Sequence, residues 1–367
     1  MEDFDALKAE HNALKRLSKQ PGFPRALYFG QQDVPDSLSD VVGHVSEQGG
    51  SLSTDVVMSS LTSSSPIPSS PRAVLVMDAL GPSLERLMNE TTLGTGGLSP
   101  GTVLSLAVQM LERLESLSTC GLVHGDIQLG NFLMGKDGPI HRRTVYLIDF
   151  GLSSSSIPSK SISSRNSRDP HHESSPQPSS SGGPPGSVGR AASNRVSGTL
   201  DFSSSRVLQG LQPQPRDDLE SLAYCLAYML HGSLPWSNIP LNPMQDLMPL
   251  SSERDSDGLA MTAEAIAEAK DTCSITGCLF TNDGVSQGSS SSNHVAERFI
   301  HRMLSEAKSL PEGGATAPPD YCGLRRDATE ALAEIGVPEG ADVIFDWEVE
   351  GISWSPVDGS LTLEGYR

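Results

Sequence analysis

The stretch HGDIQLGN, residues 124–131, places an aspartate and an asparagine five positions apart in a short loop between apolar segments. Such a loop can turn the side chains of Asp126 and Asn131 into one cleft. There an aspartate can orient a hydroxyl group and accept its proton, while an asparagine can face a metal ion through its amide oxygen. The octet therefore predicts a reactive cleft built around Asp126.

A second carboxylate ends an apolar run 23 residues after Asp126. Residues 145–151 read VYLIDFG, so Asp149 closes a strand candidate, Phe150 is expected to pack inward and Gly151 frees the backbone that follows. A carboxylate suits Mg²⁺, a hard cation that prefers oxygen ligands. In this order, the two motifs have the spacing of phosphoryl-transfer sites. They predict a shared cleft in which Asn131 and Asp149 bind Mg²⁺.

The flanking sequence resembles protein kinases of the casein kinase 1 group over about residues 5–335. The matching stretches are AVLVMDALGPSLE (73–85), NFLMG (131–135), GT followed by an aromatic residue (198–202), RDDLESL (216–222), GSLPW (232–236) and PDY with LR (319–325). This resemblance implies a serine/threonine kinase that transfers the γ-phosphate of ATP to a protein substrate with the help of Mg²⁺.

The resemblance also implies the architecture. It is an α+β, protein kinase-like fold with a mostly helical C-terminal lobe and an incomplete N-terminal lobe. Residues 1–80 would form the partial N-terminal lobe, a helix and two strands with a disordered insertion at 34–71. Residues 81–335 would form the C-terminal lobe, interrupted at 153–193, 240–258 and 283–293, and residues 336–367 a tail. The four interruptions are rich in serine or other polar residues and cannot offset chain entropy by burying apolar surface.

Helical periodicity and turn residues place the ordered elements independently of any resemblance. They predict helices at 5–19, 100–118, 217–230, 295–308 and 323–335, and strands at 26–30, 73–77, 131–134 and 145–148. The helix at 217–230 is apolar almost all round and is therefore expected to be buried.

Further site residues follow from the resemblance. Met77, Asp78, Ala79 and Leu80 would line the adenine pocket, although Met77 also fits a plain core position. Glu10 matches the ion-pairing glutamate of the family, and a solvated position on the helix face is equally compatible.

Asp218 would hydrogen-bond the backbone of the loop at 124–131 and hold its shape. A helix-capping role fits that residue as well.

Several positions depart from the family. The chain begins at the helix of Glu10, with no glycine-rich loop or phosphate-binding lysine before it, and the glycines at 94–97 read as a linker. Gln128 replaces the lysine that usually steadies the transferred phosphate, and Gly125 replaces the usual arginine. These departures predict weak Mg-ATP binding and negligible phosphotransfer.

Two other functions compete with an active protein kinase. A catalytically inactive binding module on the same fold would explain the missing loop and lysine, but it has no chemical need for Asp126, Asn131 and Asp149 together. A small-molecule phosphotransferase of the aminoglycoside type also has His-Gly-Asp before its asparagine, yet the stretches at 216–222 and 232–236 favour the protein kinase.

The composition of the chain disfavours several kinds of partner and site. The formal charge of −19 disfavours nucleic acid and anionic membrane surfaces, and a monomer is expected. Five scattered cysteines argue against a disulfide framework or a structural zinc site, and residues 171–173, His-His-Glu, lack partner ligands at metal spacing. With an acidic, non-apolar N-terminus, the chain is expected to be intracellular, in the cytoplasm or nucleus.

Overall fold

The computed structural model describes residues 2–32, 72–92, 96–136, 138, 141–155, 200–237, 239, 254–276, 291–310, 317–338, 340–355, 357 and 359–363. Within these ranges the protein is mainly helical and contains four antiparallel sheets of two strands each. One continuous cluster of buried apolar side chains joins all parts of the structure.

The N-terminal part consists of one helix and one sheet. Helix α1 (Glu2–Leu17) precedes strands β1 (Ala26–Gln32) and β2 (Arg72–Met77), which pair antiparallel. Leu14 and Leu17 of α1 are buried in the common core, as the apolar spacing of that helix predicts. This part agrees with the predicted helix and strands to within a few residues at each end.

Two helices follow this sheet. Helix α2 (Leu84–Thr92) was not assigned from the sequence, and it buries Leu84, Leu87 and Met88. Helix α3 (Pro100–Thr119) begins as its start signal predicts, because the Ser99 hydroxyl accepts a hydrogen bond from the Thr102 N–H and a proline occupies the first turn.

Short strands frame the loop at 124–131. Strand β3 (Leu122–Val123) precedes the loop, and the loop ends in a 3₁₀ turn (Leu129–Asn131) that leads into β4 (Phe132–Met134). A second 3₁₀ turn (His141–Arg143) leads into β5 (Val145–Leu147), which pairs with β4, and β6 (Ser154–Ser155) pairs with β3. These pairings bring residues 148–151 beside the loop.

The C-terminal half is built around one buried helix. After α4 (Ser205–Leu208) comes α5 (Pro215–His231), which is buried on nearly all sides as its composition predicts. Helices α6 (Arg254–Thr276), α7 (Ser291–Ser309) and α8 (Tyr321–Glu334) complete the bundle. Helix α5 packs against α3 and α7, α8 packs against α3 and α7, and α6 packs against α4.

The segment after α8 is structured and is more than a tail. Helix α9 (Asp346–Val349) and strands β7 (Ile352–Trp354) and β8 (Leu361–Leu363) pack on α2 and on the region around Arg142 and Arg143. Trp347 and Trp354 are buried there.

The predicted disordered segments fall mostly outside the described residues, but their edges need correction. Ser154 and Ser155 pair with β3, residues 254–258 belong to α6, and residues 291–293 belong to α7. The polar composition at these edges did not prevent ordering, because each edge joins an element that packs on the core. Residues 171–173 and Cys278 also lie outside the described ranges.

No helix in the described parts of the chain combines the length and apolar character needed to cross a membrane. Within the same ranges, Cys120, Cys225, Cys273 and Cys322 form no disulfide.

Candidate active site

The loop at 124–131 is hydrogen-bonded to the first turn of α5. The carboxylate of Asp218 accepts hydrogen bonds from the backbone N–H groups of His124, at 2.7 Å, and Gly125, at 2.9 Å. Gly125 has φ +80°, a backbone conformation that suits glycine. Burial raises the pKa of Asp218 to about 6, while the nearby His124 and the two N–H donors oppose that rise. Asp218 therefore fixes the backbone that precedes Asp126.

His124 links this loop to the second motif. Its Nε2 lies 3.0 Å from the carbonyl oxygen of Ile148, and its ring packs edge-on against Phe150 at 5.1 Å between centroids. The Ile148 N–H in turn donates to the carbonyl of Asn131 at 3.0 Å. Both neighbours of Asp149 in the chain are thus tied to residues of the loop, which sets the position of Asp149 beside it.

Asp126, Gln128 and Asn131 form one hydrogen-bonded group. Gln128 Nε2 donates to Asp126 Oδ2 at 2.8 Å, and Asn131 Nδ2 donates to the Asp126 carbonyl at 2.9 Å and to Oδ2 at 3.2 Å. The amide nitrogen of Asn131 therefore faces Asp126, which leaves its amide oxygen as the possible metal ligand. The carboxylate of Asp126 is oriented by two side chains, as a proton-accepting group requires.

Asp149 adopts a strained backbone conformation. Its φ of +67° is the only positive φ at a non-glycine residue in the described ranges. Such conformations are costly for residues with a side chain and persist where surrounding structure enforces them, often at functional sites. Here the enforcement comes from the hydrogen bonds of Ile148 and the buried ring of Phe150.

Glu10 faces this turn from α1 and is buried, so a solvated position on the helix face does not describe it. The backbone N–H groups of Phe150 and Asp149 act on its carboxylate and favour the charged form. Burial, together with the charge of Asp149, raises the pKa of Glu10 to about 7. Within the described residues, no lysine or arginine forms an ion pair with Glu10.

The cleft is strongly anionic. Burial raises the pKa of Asp126, and the charge of Asp149 raises it further, against the effects of His124, Gln128 and Asn131. No salt bridge joins Asp126, Asp149 or Glu10 to a lysine or arginine in the parts of the chain that the structure describes. A cation in this cleft would relieve the repulsion among the three carboxylates.

The side chains present fit a Mg²⁺ ion that is shared with a nucleotide. Mg²⁺ in such sites takes one or two protein oxygens, and phosphates and water supply the rest. Asp149 and Asn131 would be the residues to provide these oxygens. No group of three or more histidine, cysteine or acidic side chains in the described ranges is arranged to hold a metal by itself, so a fully protein-ligated site is not what the geometry offers.

The predicted adenine-binding residues connect β2 to α2. Both the side chain and the backbone N–H of Asp78 contact Arg25. The carboxylate of Asp78 accepts hydrogen bonds from the Arg25 guanidinium, with N–O distances of 2.9 Å. The backbone N–H of Asp78 donates to the Arg25 carbonyl. Any contact of Asp78 with a nucleotide would therefore use its carbonyl. Met77, Ala79 and Leu80 are each half-buried, which leaves part of their surface available to a ligand.

A small pocket lies next to Asp126, between the loop at 124–131 and the start of α5. It is lined by loop residues, by the segment before α4 and by the start of α5: Gly125, Asp126, Ile127, Ser203, Ser204, Val207, Pro213, Asp217, Asp218 and Ser221. The space is narrow, and the buried hydroxyl of Ser204 at its edge donates to Asp217 at 2.8 Å.

Sequence inspection missed Lys270 of α6, a fully buried lysine whose Nζ donates to the backbone carbonyls of Leu200 and Ser203. Its local signal is weak, because a single lysine in a helix is normally a solvated residue.

A scan against protein-family models finds no match to this chain.

Proposed function

We propose that this chain is an ATP- and Mg²⁺-dependent phosphotransferase of the protein serine/threonine kinase type, resembling the casein kinase 1 group. The observation that carries the proposal is the joint placement of Asp126, Asn131 and Asp149. Asn131 hydrogen-bonds Asp126 directly, and Asp149 lies close enough for its charge to raise the pKa of Asp126.

Each side chain has a defined role in this proposal. Asp126 orients the hydroxyl of a serine or threonine and accepts its proton as the hydroxyl oxygen attacks the terminal phosphorus. Asn131 and Asp149 would hold Mg²⁺, whose charge would offset the negative charge that develops on the transferred phosphate. The residues at 77–80 receive the adenine ring. The nucleoside diphosphate leaves with the oxygen that had joined it to the terminal phosphorus.

Two features favour slow turnover. Gln128 orients Asp126 but carries no positive charge for the transferred phosphate, and one missing electrostatic contact of this kind reduces the rate by about 10²–10³. Glu10 has no cationic partner in the described ranges, so the same fold serving as a nucleotide-binding module without turnover is the second candidate.

A transfer assay with radiolabelled ATP and Mg²⁺ separates the candidates. Label transferred to casein, and lost in Asp126→Ala, supports the protein kinase. Label transferred to small alcohols or amino sugars but not to casein would replace it with a small-molecule phosphotransferase. Mg-nucleotide binding without any transfer selects the binding module. Asp342, changed to Asn, is the control, since its carboxylate is almost fully exposed and its ion pair in the described structure is with Arg143.

A further inference from the structure

Trp354 of β7 is a buried side chain that packs against the segment joining β2 to α2. On one side of the indole, the Arg142 guanidinium stacks over the ring at 5.3 Å, and Arg142 Nη2 donates to the Trp354 carbonyl at 2.9 Å. On another side the ring meets Gly81, where an added methyl group would come within 2.8 Å of the indole Nε1. Trp354 therefore contacts the backbone directly after the predicted adenine-binding residues 77–80. Residues 78–83 are called the linker below.

The linker is joined to strand β4 at the same place. The Gly81 N–H donates to the carbonyl of Met134 at 2.8 Å, and the Met134 N–H donates to the carbonyl of Pro82 at 2.9 Å. Strand β4 starts directly after Asn131, the candidate metal ligand. The spacing between the adenine-binding residues and Asn131 is therefore set where the linker meets β4.

Gly81 contributes no side chain to this junction. Glycine restricts its own backbone less than other residues do, so the path of the linker depends on the groups around it. A methyl group at Gly81 would also come within 2.9 Å of the Gly135 carbonyl oxygen. The space between Trp354 and the end of β4 therefore admits bare backbone only, and the indole supplies the packing that Gly81 lacks.

The segment that carries Trp354 is anchored by contacts outside the linker. The Asp346 carboxylate accepts hydrogen bonds from the backbone N–H and the hydroxyl of Ser99, at 2.5 and 2.6 Å. The Glu348 carboxylate pairs with the Arg143 guanidinium at 2.6 Å. These contacts tie the segment to the start of α3 and to the turn before β5, so Trp354 is held in place independently of the linker that it supports.

We propose that Trp354 is a positioning residue for the nucleotide: it packs the linker against β4 and so sets where residues 77–80 stand relative to Asn131. This inference rests on the proposed ATP-dependent function. Trp354 acts through Gly81, so its loss should loosen the linker and weaken nucleotide binding even in protein that remains folded.

The test compares Trp354→Phe with Trp347→Phe in the full chain. Phenylalanine at position 354 keeps a buried ring but lacks the five-membered ring that carries Nε1, so the contact with Gly81 is lost. Trp347 is the matched control, because it is buried in the same segment but stacks on Phe345, with 4.7 Å between ring centroids.

Two quantities are measured well below the unfolding temperature of each variant: hydrogen–deuterium exchange of residues 78–84 and the Kd for Mg-ATP. Under these conditions a loss of global stability alone changes neither. We expect Trp354→Phe to raise exchange at least about tenfold, since the linker loses its packing. The Kd for Mg-ATP should rise at least about fivefold, because binding must then order the linker. Trp347→Phe should keep both within about twofold of wild type.

Unchanged exchange or an unchanged Kd in Trp354→Phe would overturn the proposal, and so would an equal rise of the Kd in Trp347→Phe. If Trp354→Phe does not fold, Arg142→Met removes the stacked guanidinium and its bond to the Trp354 carbonyl, and it must raise exchange and Kd in the same way. A wild-type chain that binds no Mg-ATP would contradict the proposed function and, with it, nucleotide positioning. The exchange data would then show separately whether Trp354 orders the linker.

Discussion

Oδ2 of Asp218 lies 2.7 Å from the backbone nitrogen of His124, although 94 residues separate the two in the chain. With the second bond, to Gly125, this contact joins the first turn of the buried helix α5 to the loop that carries Asp126. The shape of the candidate site therefore depends on the core of the protein as well as on its local sequence.

Replacing Asp218 with alanine should destabilise the protein by about 2–4 kcal/mol, because two buried N–H groups lose their acceptor. Asparagine keeps one acceptor oxygen and should lose less. Urea unfolding measures both variants, with Asp342→Asn as control, since Asp342 is almost fully exposed. Equal stability of Asp218→Ala and wild type would show that the loop does not depend on this contact.

Gln128→Lys should increase phosphotransfer by about 10- to 100-fold, because the new cation would lie beside Asp126 and the transferred phosphate. The present amide reaches Asp126 Oδ2 at 2.8 Å, so a lysine at this position can reach the same region. Steady-state transfer to casein measures the effect, and Gln128→Met, which adds no charge, is the control. A lysine variant that binds Mg-ATP normally but transfers no faster would exclude this explanation for slow turnover.

Lys270 should give the stability of the protein a specific pH dependence. Burial lowers the pKa of Lys270 from 10.5 to about 7, although Glu220, Asp201 and Cys225 favour the charged form and Lys308 opposes it. Between about pH 7 and 10.5, the unfolded chain binds more protons at this residue than the folded chain, so this group makes stability rise with pH.

Urea unfolding of wild type and of Lys270→Met at pH 7, 8 and 9 tests this dependence. The difference between their free energies of unfolding isolates the contribution of Lys270. The stability of wild type minus that of Lys270→Met should increase over the series, because methionine cannot titrate. The other groups that face the amine, including Glu220, Asp201 and Tyr224, are present in both proteins. Parallel curves would mean that Lys270 keeps an ordinary pKa in its buried position.

Trp354→Ala should cost about 3–5 kcal/mol of stability, the typical loss for a large buried aromatic residue. The side chain is buried against Gly81, and the Arg142 guanidinium stacks over its ring at 5.3 Å. Trp354→Phe should lose less, because the indole Nε1 has no hydrogen-bond partner among the described residues. Thermal or urea unfolding compares these with Leu363→Ala, which removes an exposed side chain; equal effects of all three would make the segment a loosely attached tail.

Local sequence was sufficient to predict elements that are marked by their own apolar residues. The strand after the loop at 124–131 and the strand before Asp149 could be identified because each is a short run of apolar residues. The buried character of α5 followed from its composition, since a helix that is apolar all round has no solvent-facing side.

Long-range contacts explain what the sequence could not reveal. Lys270 is buried through contacts with a carbonyl about 70 residues earlier and with the rings of Tyr224 and Trp236. The structured C-terminal segment left a clearer signal: two of the three tryptophans of the chain, Trp347 and Trp354, lie within it. Large aromatic residues this close together favour burial, and they outweighed the polar composition around them.

Mg²⁺-dependent nucleotide binding tests the central claim most directly, because it needs the site but not turnover. Isothermal titration of the wild-type chain with ATP, with and without Mg²⁺, should show weak binding that requires the metal. Asp149→Asn should weaken it at least about tenfold, the loss expected when one charged metal ligand is removed, while Asp342→Asn, at an almost fully exposed carboxylate, should leave it unchanged. Binding that is indifferent to Mg²⁺ or to Asp149→Asn, or no binding at all, would contradict the assignment of Asp126, Asn131 and Asp149 to a nucleotide site.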